Sequence, residues 1–307
     1  MTVREKQKKL DSGKPSKTAQ FMAAFRALES TYPRERRLFE DPLALRFLSP
    51  ALRIVAYASN IACVRQGVVK LLDSVWTGAR ASGVARTRLI DDFLRRGIED
   101  GCAQAVILGA GYDSRAYRMP ELKGLKIFEV DHPSTLRLKK EKMRKASCGC
   151  GHVSYVEIDF LRQPLAQVLG AAGFDGTLPA FFIWEGVTNY LSETAVRQTL
   201  RCIGSLAPGT LLAFTYVHRS AIDSPEETVK TGVSRLLRKQ GEPWTYGILP
   251  EELPGLLREC GLELLEDIGS VDYRKRYLYS QGTHLDGYEF YRAALAAKPI
   301  GSMEEPV

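Results

Sequence analysis

The sequence has no long apolar run and few cysteines. No uninterrupted apolar stretch approaches the roughly twenty residues needed to cross a bilayer, and the N-terminal residues lack the apolar core of a signal peptide. The six cysteines, scattered over 307 residues, are too sparse for a secreted disulfide framework. These absences argue against a membrane-spanning protein and a small disulfide-rich secreted one, so we expect a cytoplasmic protein with reduced thiols.

Potential metal ligands are also sparse. Cys148, Cys150 and His152 lie close together and offer soft ligands, but no second pair follows at the spacing of a zinc finger. The whole chain has only four histidines. We therefore predict no metal site.

The net charge of +7 is concentrated near the N-terminus. Residues 1–17 hold six basic side chains, two acidic ones and no aromatic one. That composition is typical of a solvated, disordered tail, and contact with RNA or an anionic surface is the alternative. We predict a basic tail at 1–17, a short tail at 301–307, and no nucleic-acid partner.

Between the tails, 45% hydrophobic content favours one large α/β domain over residues 18–300. Apolar residues at helical spacing predict several helices before the first strand. These lie at 19–29, 43–48, 51–80 (one or two buried helices) and 84–97. We interpret residues 18–80 as a helical cap.

After residue 100, strands and helices alternate, which is typical of a parallel sheet with right-handed crossovers. The predicted strands are 104–109, 125–130, 153–157, 179–184, 210–217, 262–268 and 288–297. The predicted helices are 114–118, 133–146, 161–172, 192–206 and 250–260. A charged, mostly helical insertion at 218–247 interrupts this alternation.

The first of these strands opens into a glycine turn that contains Gly109, Gly111 and Asp113. Such a turn brings backbone N–H groups close to a cofactor. About twenty residues later the second strand ends at Asp131, and an acid at that spacing commonly holds ribose hydroxyls. The pair of signals therefore predicts a cofactor with a ribose.

Two cofactor classes compete for this turn. Dinucleotide sites use Gly-x-Gly-x-x-Gly, but Ser114 occupies the third glycine position here. The carboxylate of Asp113 would repel a pyrophosphate and suits an ammonium group better. S-adenosylmethionine has an ammonium, a ribose and no phosphate, so it is the preferred cofactor. A nicotinamide or flavin nucleotide is the alternative, and a glycine turn without a ligand is a third.

Other charged residues are expected at the same edge of the sheet. Asp159-Phe160 and Glu185 follow the third and fourth strands, and Arg86 begins the helix before the first strand. A guanidinium there can fork onto a carboxylate. The simpler alternatives are that Asp131 and Asp159 cap helices and that Arg86 and Arg88 are solvated.

These segments resemble the leucine carboxyl methyltransferase family, which includes bacterial S-adenosylmethionine-dependent methyltransferases and polyketide carboxyl O-methyltransferases. The matching segments are 23–29, 85–88, 108–115, 128–133 and 184–191. The resemblance implies a Rossmann-like class I methyltransferase with a mostly parallel seven-stranded sheet and helices on both faces.

The resemblance also implies roles for single residues. Arg86 would contact the methionine carboxylate and Gly109 would lie along the cofactor. Asp131 would hold the ribose, Asp159-Phe160 would frame the adenine, and Glu185 would contact the amino-acid end. Past residue 217 the match fades, which leaves the methyl acceptor open.

The expected reaction is O-methylation of a carboxylate on a small molecule or peptide. A carboxylate is already ionised near neutral pH, so no general base is needed. A phenol or alcohol would need one, and His218 is the candidate. Tyr190 could reach the transferable methyl or the acceptor, with packing in the core as its alternative. A nucleotide-dependent oxidoreductase and a non-catalytic binding module are the competing functions, and the oligomeric state is not predicted.

Overall fold

The computed structural model describes residues 17–144, 151–160, 162–223, 244–278 and 287–300. Most of the predicted basic tail, the Cys148 and Cys150 pair, most of the 218–247 insertion and the tail at 301–307 lie outside these residues. So do the last two residues of the predicted helix 133–146 and the first of 161–172.

Helices occupy the chain before the first strand, as the apolar spacing predicts. They are α1 (Lys17–Glu29), α2 (Pro50–Ala58), α3 (Ala62–Val75) and α4 (Ala79–Glu99), with a 3-10 helix at Ala44–Phe47. The Ser49 side chain caps α2 by accepting a hydrogen bond from the Leu52 N–H, and Pro50 stands at the first helical position. Among these described helices none is long and apolar enough to span a bilayer.

The prediction that helices within 51–80 are buried is wrong. The side chains of Ile54, Tyr57 and Leu71 are 70%, 58% and 64% exposed, and α3, described along its whole length, contains no buried residue. The core of the cap instead joins α1 to the 3-10 helix through residues such as Ala23, Ala27 and Phe47. Periodicity indicates that a segment is helical, but it does not say which neighbour covers the apolar face.

The strands and the later helices follow the predicted alternation. The strands are β1 (Gln104–Leu108), β2 (Lys126–Asp131), β3 (Val153–Glu157), β4 (Ala180–Trp184), β5 (Leu211–Val217), β6 (Glu263–Ile268) and β7 (Tyr291–Ala297). The helices among them are α5 (Arg115–Arg118), α6 (Pro133–Arg144), α7 (Leu165–Ala171), α8 (Glu193–Gly204), α9 (Ser220–Asp223), α10 (Leu253–Glu259) and α11 (Ser270–Tyr273). Each predicted strand is correct to within one residue except the last, which begins three residues later.

The seven strands of the described residues form one sheet in the order β3-β2-β1-β4-β5-β7-β6. The first five strands are parallel, and β7 is antiparallel to both of its neighbours, β5 and β6. One face of the sheet packs against α7, α8 and α10, and the other against α4, α5 and α11. The predicted α/β Rossmann-like sheet with helices on both faces is confirmed.

The strand order reverses between β1 and β4, which lie side by side at the centre of the sheet. Ligands of open α/β sheets bind outside the carboxyl ends of the strands at such a switch point. The turns after β1 and β4 meet there: a Cβ added to Gly109 would lie 2.4 Å from Val187 Cγ2. The topology therefore brings the segments that carry Gly109 and Glu185 together.

Candidate functional site

The glycine turn after β1 is held against the end of β2. The N–H groups of Gly109 and Ala110 both donate to the carbonyl oxygen of Val130, at 2.8 and 3.1 Å. Gly109 and Gly111 have φ of +65° and +39°, a region that favours glycine. The turn can therefore follow the strand end closely, with no side chain between its backbone and a ligand.

Asp131 ties β2 to this turn. Its carboxylate accepts a hydrogen bond from the Gly111 N–H at 2.6 Å and another from the His132 N–H at 2.6 Å. Burial raises its pKa, and these two hydrogen bonds oppose that rise. The helix-cap alternative is not what the contacts show, because His132, through its ring Nδ1 and its carbonyl oxygen, accepts the first N–H groups of α6.

Beside the turn, six side chains, none more than 15% exposed, form a chain of ion pairs, named here the ionic chain: Arg86, Glu185, Arg115, Asp113, Asp91 and Arg118. Arg86 Nε lies 2.8 Å from Glu185 Oε1, and Arg115 Nη1 lies 2.9 Å from Glu185 Oε2. The same Arg115 nitrogen contacts Asp113 Oδ2. Asp91 lies 2.7 Å from both Arg115 and Arg118.

The ionic chain holds three cations and three anions, so its formal charge is balanced. Burial opposes ionisation of Asp113, but the charges of Arg115, Lys139 and Arg26 and the hydrogen bond from the Arg115 N–H together outweigh it and lower the pKa of Asp113 to about 2. Burial likewise opposes ionisation of Glu185, and Arg115 and Arg86 together lower its pKa. Both carboxylates are therefore charged at neutral pH and lie around one guanidinium.

Arg86 is buried, so the alternative of a solvated arginine is wrong for this residue. Its side chain is 7% exposed, and its guanidinium lies 4.5 Å from the centre of the Tyr291 ring. Its Nη2 meets the weakly accepting Met22 Sδ at 3.7 Å. Arg88, by contrast, is 36% exposed and pairs with Asp92 away from the strand ends.

Asp159 and Phe160 follow β3, as predicted, but they do not cap the next helix. Helix α7 begins at Leu165 with Pro164 as its N-cap, and residues 162 and 163 form a turn onto the Asp159 carbonyl. The predicted start of that helix at 161 is therefore too early. Asp159 pairs with Arg162 at 3.5 Å, and Phe160 packs partly buried against the core.

The two candidate catalytic residues lie at the ends of β4 and β5. Tyr190 ends a 3-10 turn at Thr188–Tyr190 and is partly exposed, outside the hydrophobic clusters of the described residues. His218 directly follows β5, and its ring Nδ1 lies 2.7 Å from Ser220 Oγ. Its backbone N–H donates to the Phe290 carbonyl oxygen at 2.7 Å, which places the backbone of His218 next to the residues that precede β7.

Sequence reasoning missed three buried residues that connect the cap to the glycine turn. They are Arg26, Asp41 and Ser114, and they are named here the clasp. Asp41 is fully buried, and its Oδ2 accepts hydrogen bonds from Arg26 Nε at 2.8 Å and Ser114 Oγ at 2.6 Å. Arg26 Nη2 donates to the Tyr112 carbonyl oxygen at 2.6 Å. The signal in the sequence was Asp41-Pro42, which lies between two predicted helical segments. This pair is typical of a helix start and does not by itself indicate a buried ion pair.

A second missed group lies under the turn. Glu129 and Lys139 are both fully buried and their charged atoms are 2.9 Å apart. Lys139 Nζ also donates to the Ala110 carbonyl oxygen at 3.2 Å. Burial raises the pKa of Glu129 to about 7 although Lys139 opposes the shift. The alternation of β2 hints at this residue, because Glu129 shares a face of the strand with Ile127 in the apolar core.

A mostly parallel sheet of this order, with a glycine turn after β1 and an acid at the end of β2, defines the class I methyltransferase fold. The sequence model of the family described as leucine carboxyl methyltransferase matches residues 19–204. The chain belongs to this leucine carboxyl methyltransferase family, as the resemblance predicts.

Relatives and a solved structure agree with this assignment. A Frankia alni protein named "putative S-adenosyl-L-methionine-dependent methyltransferase" is 35% identical over 213 residues, covering 67% of this chain and 70% of the relative. A relative of the same name from Mycobacterium sp. strain KMS is 33% identical over 295 residues, covering 85% and 93%. The crystal structure of a "putative methyltransferase" from Thermobifida fusca shares 18% identity with a TM-score of 0.57, covering 94% of this chain and 97% of that one, which shows a common fold.

Proposed function

We propose that this protein is an S-adenosylmethionine-dependent methyltransferase that methylates a carboxylate oxygen of a small molecule or peptide. The observation that carries the proposal is the meeting of Asp131, the glycine turn and the ionic chain at the switch point of the sheet. The relatives' names support the cofactor, and neither they nor the site favours the oxidoreductase alternative.

The side chains at the switch point fit the parts of this cofactor. Asp131 has lone pairs left for ribose hydroxyls, since each oxygen accepts one backbone hydrogen bond. Asp113 and Glu185, drawn together by Arg115, present two carboxylates to an ammonium. Arg86 is charged and buried beside them, where it suits the methionine carboxylate. A charge-balanced ionic chain matches a zwitterionic amino-acid group.

The chemistry asks for positioning rather than proton transfer. When bound, S-adenosylmethionine supplies a methyl group on a sulfonium: the acceptor oxygen forms the new bond to carbon while the carbon–sulfur bond breaks and its electron pair goes to sulfur. The chain's residues then have to hold the acceptor oxygen in line and exclude water. With a carboxylate acceptor no residue needs to remove a proton, so the site requires no histidine in contact with the acceptor.

A phenol or alcohol acceptor is the second candidate, and His218 supports it. The backbone of His218 is hydrogen-bonded to Phe290, which precedes β7, and the hydrogen bond to Ser220 Oγ fixes the orientation of the imidazole. In this case His218 would accept the hydroxyl proton. The base lability of the product distinguishes the two candidates, because esters hydrolyse in alkali and aryl ethers do not.

Transfer of a labelled methyl group tests the proposed reaction. The purified chain is incubated with methyl-labelled S-adenosylmethionine and a panel of carboxylate metabolites and cell extracts. We expect a labelled product, and we expect alkali to release its label as methanol. An alkali-stable product would favour His218 and a hydroxyl acceptor. Failure of the chain to bind S-adenosylmethionine would overturn the proposal as a whole.

Cofactor binding is tested separately by titration calorimetry. Asp131→Ala is expected to weaken S-adenosylmethionine binding at least tenfold, because the ribose loses its acceptor and the Gly111 N–H loses its partner. Glu157→Ala is the matched control, since Glu157 pairs with Asp131 across the strand register but is exposed. Gly111→Leu should also block binding. Equal affinities in all these variants would contradict the site.

A further inference from the structure

Four aromatic rings gather at the carboxyl end of β5, and they are named here the aromatic box: Trp244, Tyr288, Phe290 and Tyr291. Trp244 lies 5.7 Å from Phe290 and 6.0 Å from Tyr291 between ring centres, and Tyr288 stacks on Phe290 at 4.8 Å. The Arg86 guanidinium also lies over the face of the Tyr291 ring. The box therefore shares a wall with the ionic chain, where the cofactor's amino-acid end is proposed to bind.

Asn189 joins this box from the turn after β4. The Thr245 N–H donates to its carbonyl oxygen at 2.8 Å, and Tyr291 Oη lies 3.5 Å from its side-chain oxygen. The residue is 1% exposed. Its amide oxygen is thus directed at Tyr291, and its amide nitrogen is the free end of the group.

Three buried polar atoms of this group have no hydrogen-bond partner among the described residues: Asn189 Nδ2, Trp244 Nε1 and Tyr288 Oη. Buried polar groups in folded proteins are nearly always paired, so such atoms need an explanation. Other buried atoms of the described residues are unpaired too, among them Trp184 Nε1, Tyr273 Oη and Ser270 Oγ, but none of them belongs to the box. Three unpaired atoms around one set of rings point to a missing ligand.

The chemistry of the three atoms limits what that ligand is. An indole nitrogen and an amide NH₂ only donate. Burial raises the pKa of Tyr288, so its phenol keeps its proton and also donates. Two groups that only donate and a phenol that can donate match a group that only accepts, and a carboxylate is such a group. Neutral donors would orient a carboxylate while leaving its negative charge on the oxygen that attacks the methyl group.

We propose that Asn189 and the aromatic box form the methyl-acceptor subsite, and that this subsite binds the carboxylate of a planar aromatic acid. This rests on the proposed function, and it narrows the acceptor from any carboxylate to an aromatic one. The rings supply flat apolar walls for the ring of the acid. Trp244 is the only ring of the box that is partly exposed, so the acid reaches the donors from its side.

The indole N–H resonances of the full chain give a direct test. The protein has three tryptophans, so a ¹⁵N-labelled sample saturated with S-adenosylhomocysteine shows three such signals, and Trp244→Phe identifies one of them. Benzoate, phenylacetate and indole-3-carboxylate are the probes, and their uncharged amides are the controls. A downfield shift of the Trp244 signal with at least one acid, and none with its amide, is expected, while the other two indole signals stay in place.

No shift of the Trp244 signal with any of the three acids, or an equal shift with the amides, overturns the acceptor subsite. In both cases saturation with S-adenosylhomocysteine shows that cofactor binding is intact, so the proposed function survives. A chain that binds no S-adenosylhomocysteine fails the proposed function instead. The two failures are therefore distinguishable.

An added negative charge supplies an independent measurement. Asn189→Asp replaces the amide donor with a carboxylate, and we expect it to weaken binding of the responding acid at least tenfold by repulsion, with S-adenosylhomocysteine affinity within twofold of wild type. Asn60→Asp, at an exposed turn of the cap, introduces the same charge far from the box and is the control. Equal acid affinity in both variants would contradict the proposal.

Discussion

At Gly109, two features of the structure disfavour the addition of a single methyl group. Its φ of +65° disfavours any side chain, and an added Cβ would lie 2.4 Å from Val187 Cγ2. We expect Gly109→Ala to lower the free energy of unfolding by about 2–4 kcal/mol, from backbone strain and overpacking together. Urea denaturation measures the change.

Two further variants separate these causes. Gly173 also has a positive φ, +85°, but an added Cβ there meets nothing within 4 Å, so Gly173→Ala should cost only about 1 kcal/mol. Adding Val187→Ala to Gly109→Ala should recover part of the loss by removing the clash. If Gly109→Ala and Gly173→Ala cost the same, the contact with Val187 carries no strain.

Asp113 makes the stability of the fold depend on pH. Its pKa falls from 3.8 to about 2 in the folded protein, so the unfolded chain binds more protons as pH falls between these values. The contribution is fully present above about pH 4 and is lost as pH falls toward 2, which amounts to about 2 kcal/mol. Unfolding free energies measured from pH 6 downward should therefore fall less steeply for Asp113→Asn than for wild type.

Glu251→Gln is the control for this measurement, because it removes an exposed carboxylate outside the ionic chain. Its pH dependence should follow that of the wild type. An Asp113→Asn variant with the same slope as wild type would show that folding does not lower the pKa of Asp113.

At the scale of elements, the cap is attached to the glycine turn through a few buried polar side chains. The Asp41 carboxylate accepts hydrogen bonds from Arg26 of α1 and from Ser114 of the turn, and all three side chains are buried. Removing one partner of a buried ion pair leaves the other charge uncompensated. We expect Asp41→Asn to lower the free energy of unfolding by about 3 kcal/mol and to weaken S-adenosylmethionine binding, because Ser114 and Tyr112 lose their anchor.

The matched control for the clasp is an exposed pair on the same stretch of chain. Arg37 and Glu40 form an ion pair in which Glu40 is 53% exposed, so Glu40→Gln should change stability by at most about 0.5 kcal/mol. Calorimetry and thermal denaturation of both variants decide the question. Comparable effects would mean that burial of Asp41 contributes nothing to the attachment.

Element positions could be predicted well where local signals agree. Apart from β7, the strands were predicted to within a residue, because most of them are short apolar runs that end at a glycine or an acid. The helix predicted from 161 begins at Leu165 instead, since Pro164 starts it and the preceding residues form a turn onto Asp159. The extent of a helix depends on such single positions more than on its average composition.

At the scale of the molecule, the outer face of α2 and α3 distinguishes helical periodicity from burial. Leu71 is 64% exposed and Leu89 of α4 is fully buried, although both are leucines in apolar helical patterns. We expect Leu71→Lys to change the free energy of unfolding by less than about 0.5 kcal/mol, as surface substitutions usually do. Leu89→Lys should prevent stable folding, because it buries an unpaired charge.

Circular dichroism and urea denaturation of the two lysine variants check this difference. A large loss of stability in Leu71→Lys would show that α3 is covered after all. A folded, stable Leu89→Lys would contradict the assignment of α4 to the core.

The antiparallel β7 is the part of the topology that local pattern does not reveal. It enters between β5 and β6 and places Tyr291 opposite Val217. The sequence around 288–297 does not predict this register, because the paired residues of β5 and β7 lie about eighty residues apart along the chain. The register brings Tyr291 onto Arg86 and so builds one wall of the proposed acceptor subsite.

The sequence by itself determined the fold class and the line of residues at the strand ends, because apolar runs, glycine turns and terminal acids are local features whose meaning survives in any parallel sheet. It also indicated the family. Only the tertiary structure decided which charges neutralise each other, which apolar helices stay exposed, and that Asn189, Trp244 and Tyr288 gather unpaired donors. These outcomes depend on contacts between segments distant in the chain, where packing and desolvation, rather than local preference, set the free energy.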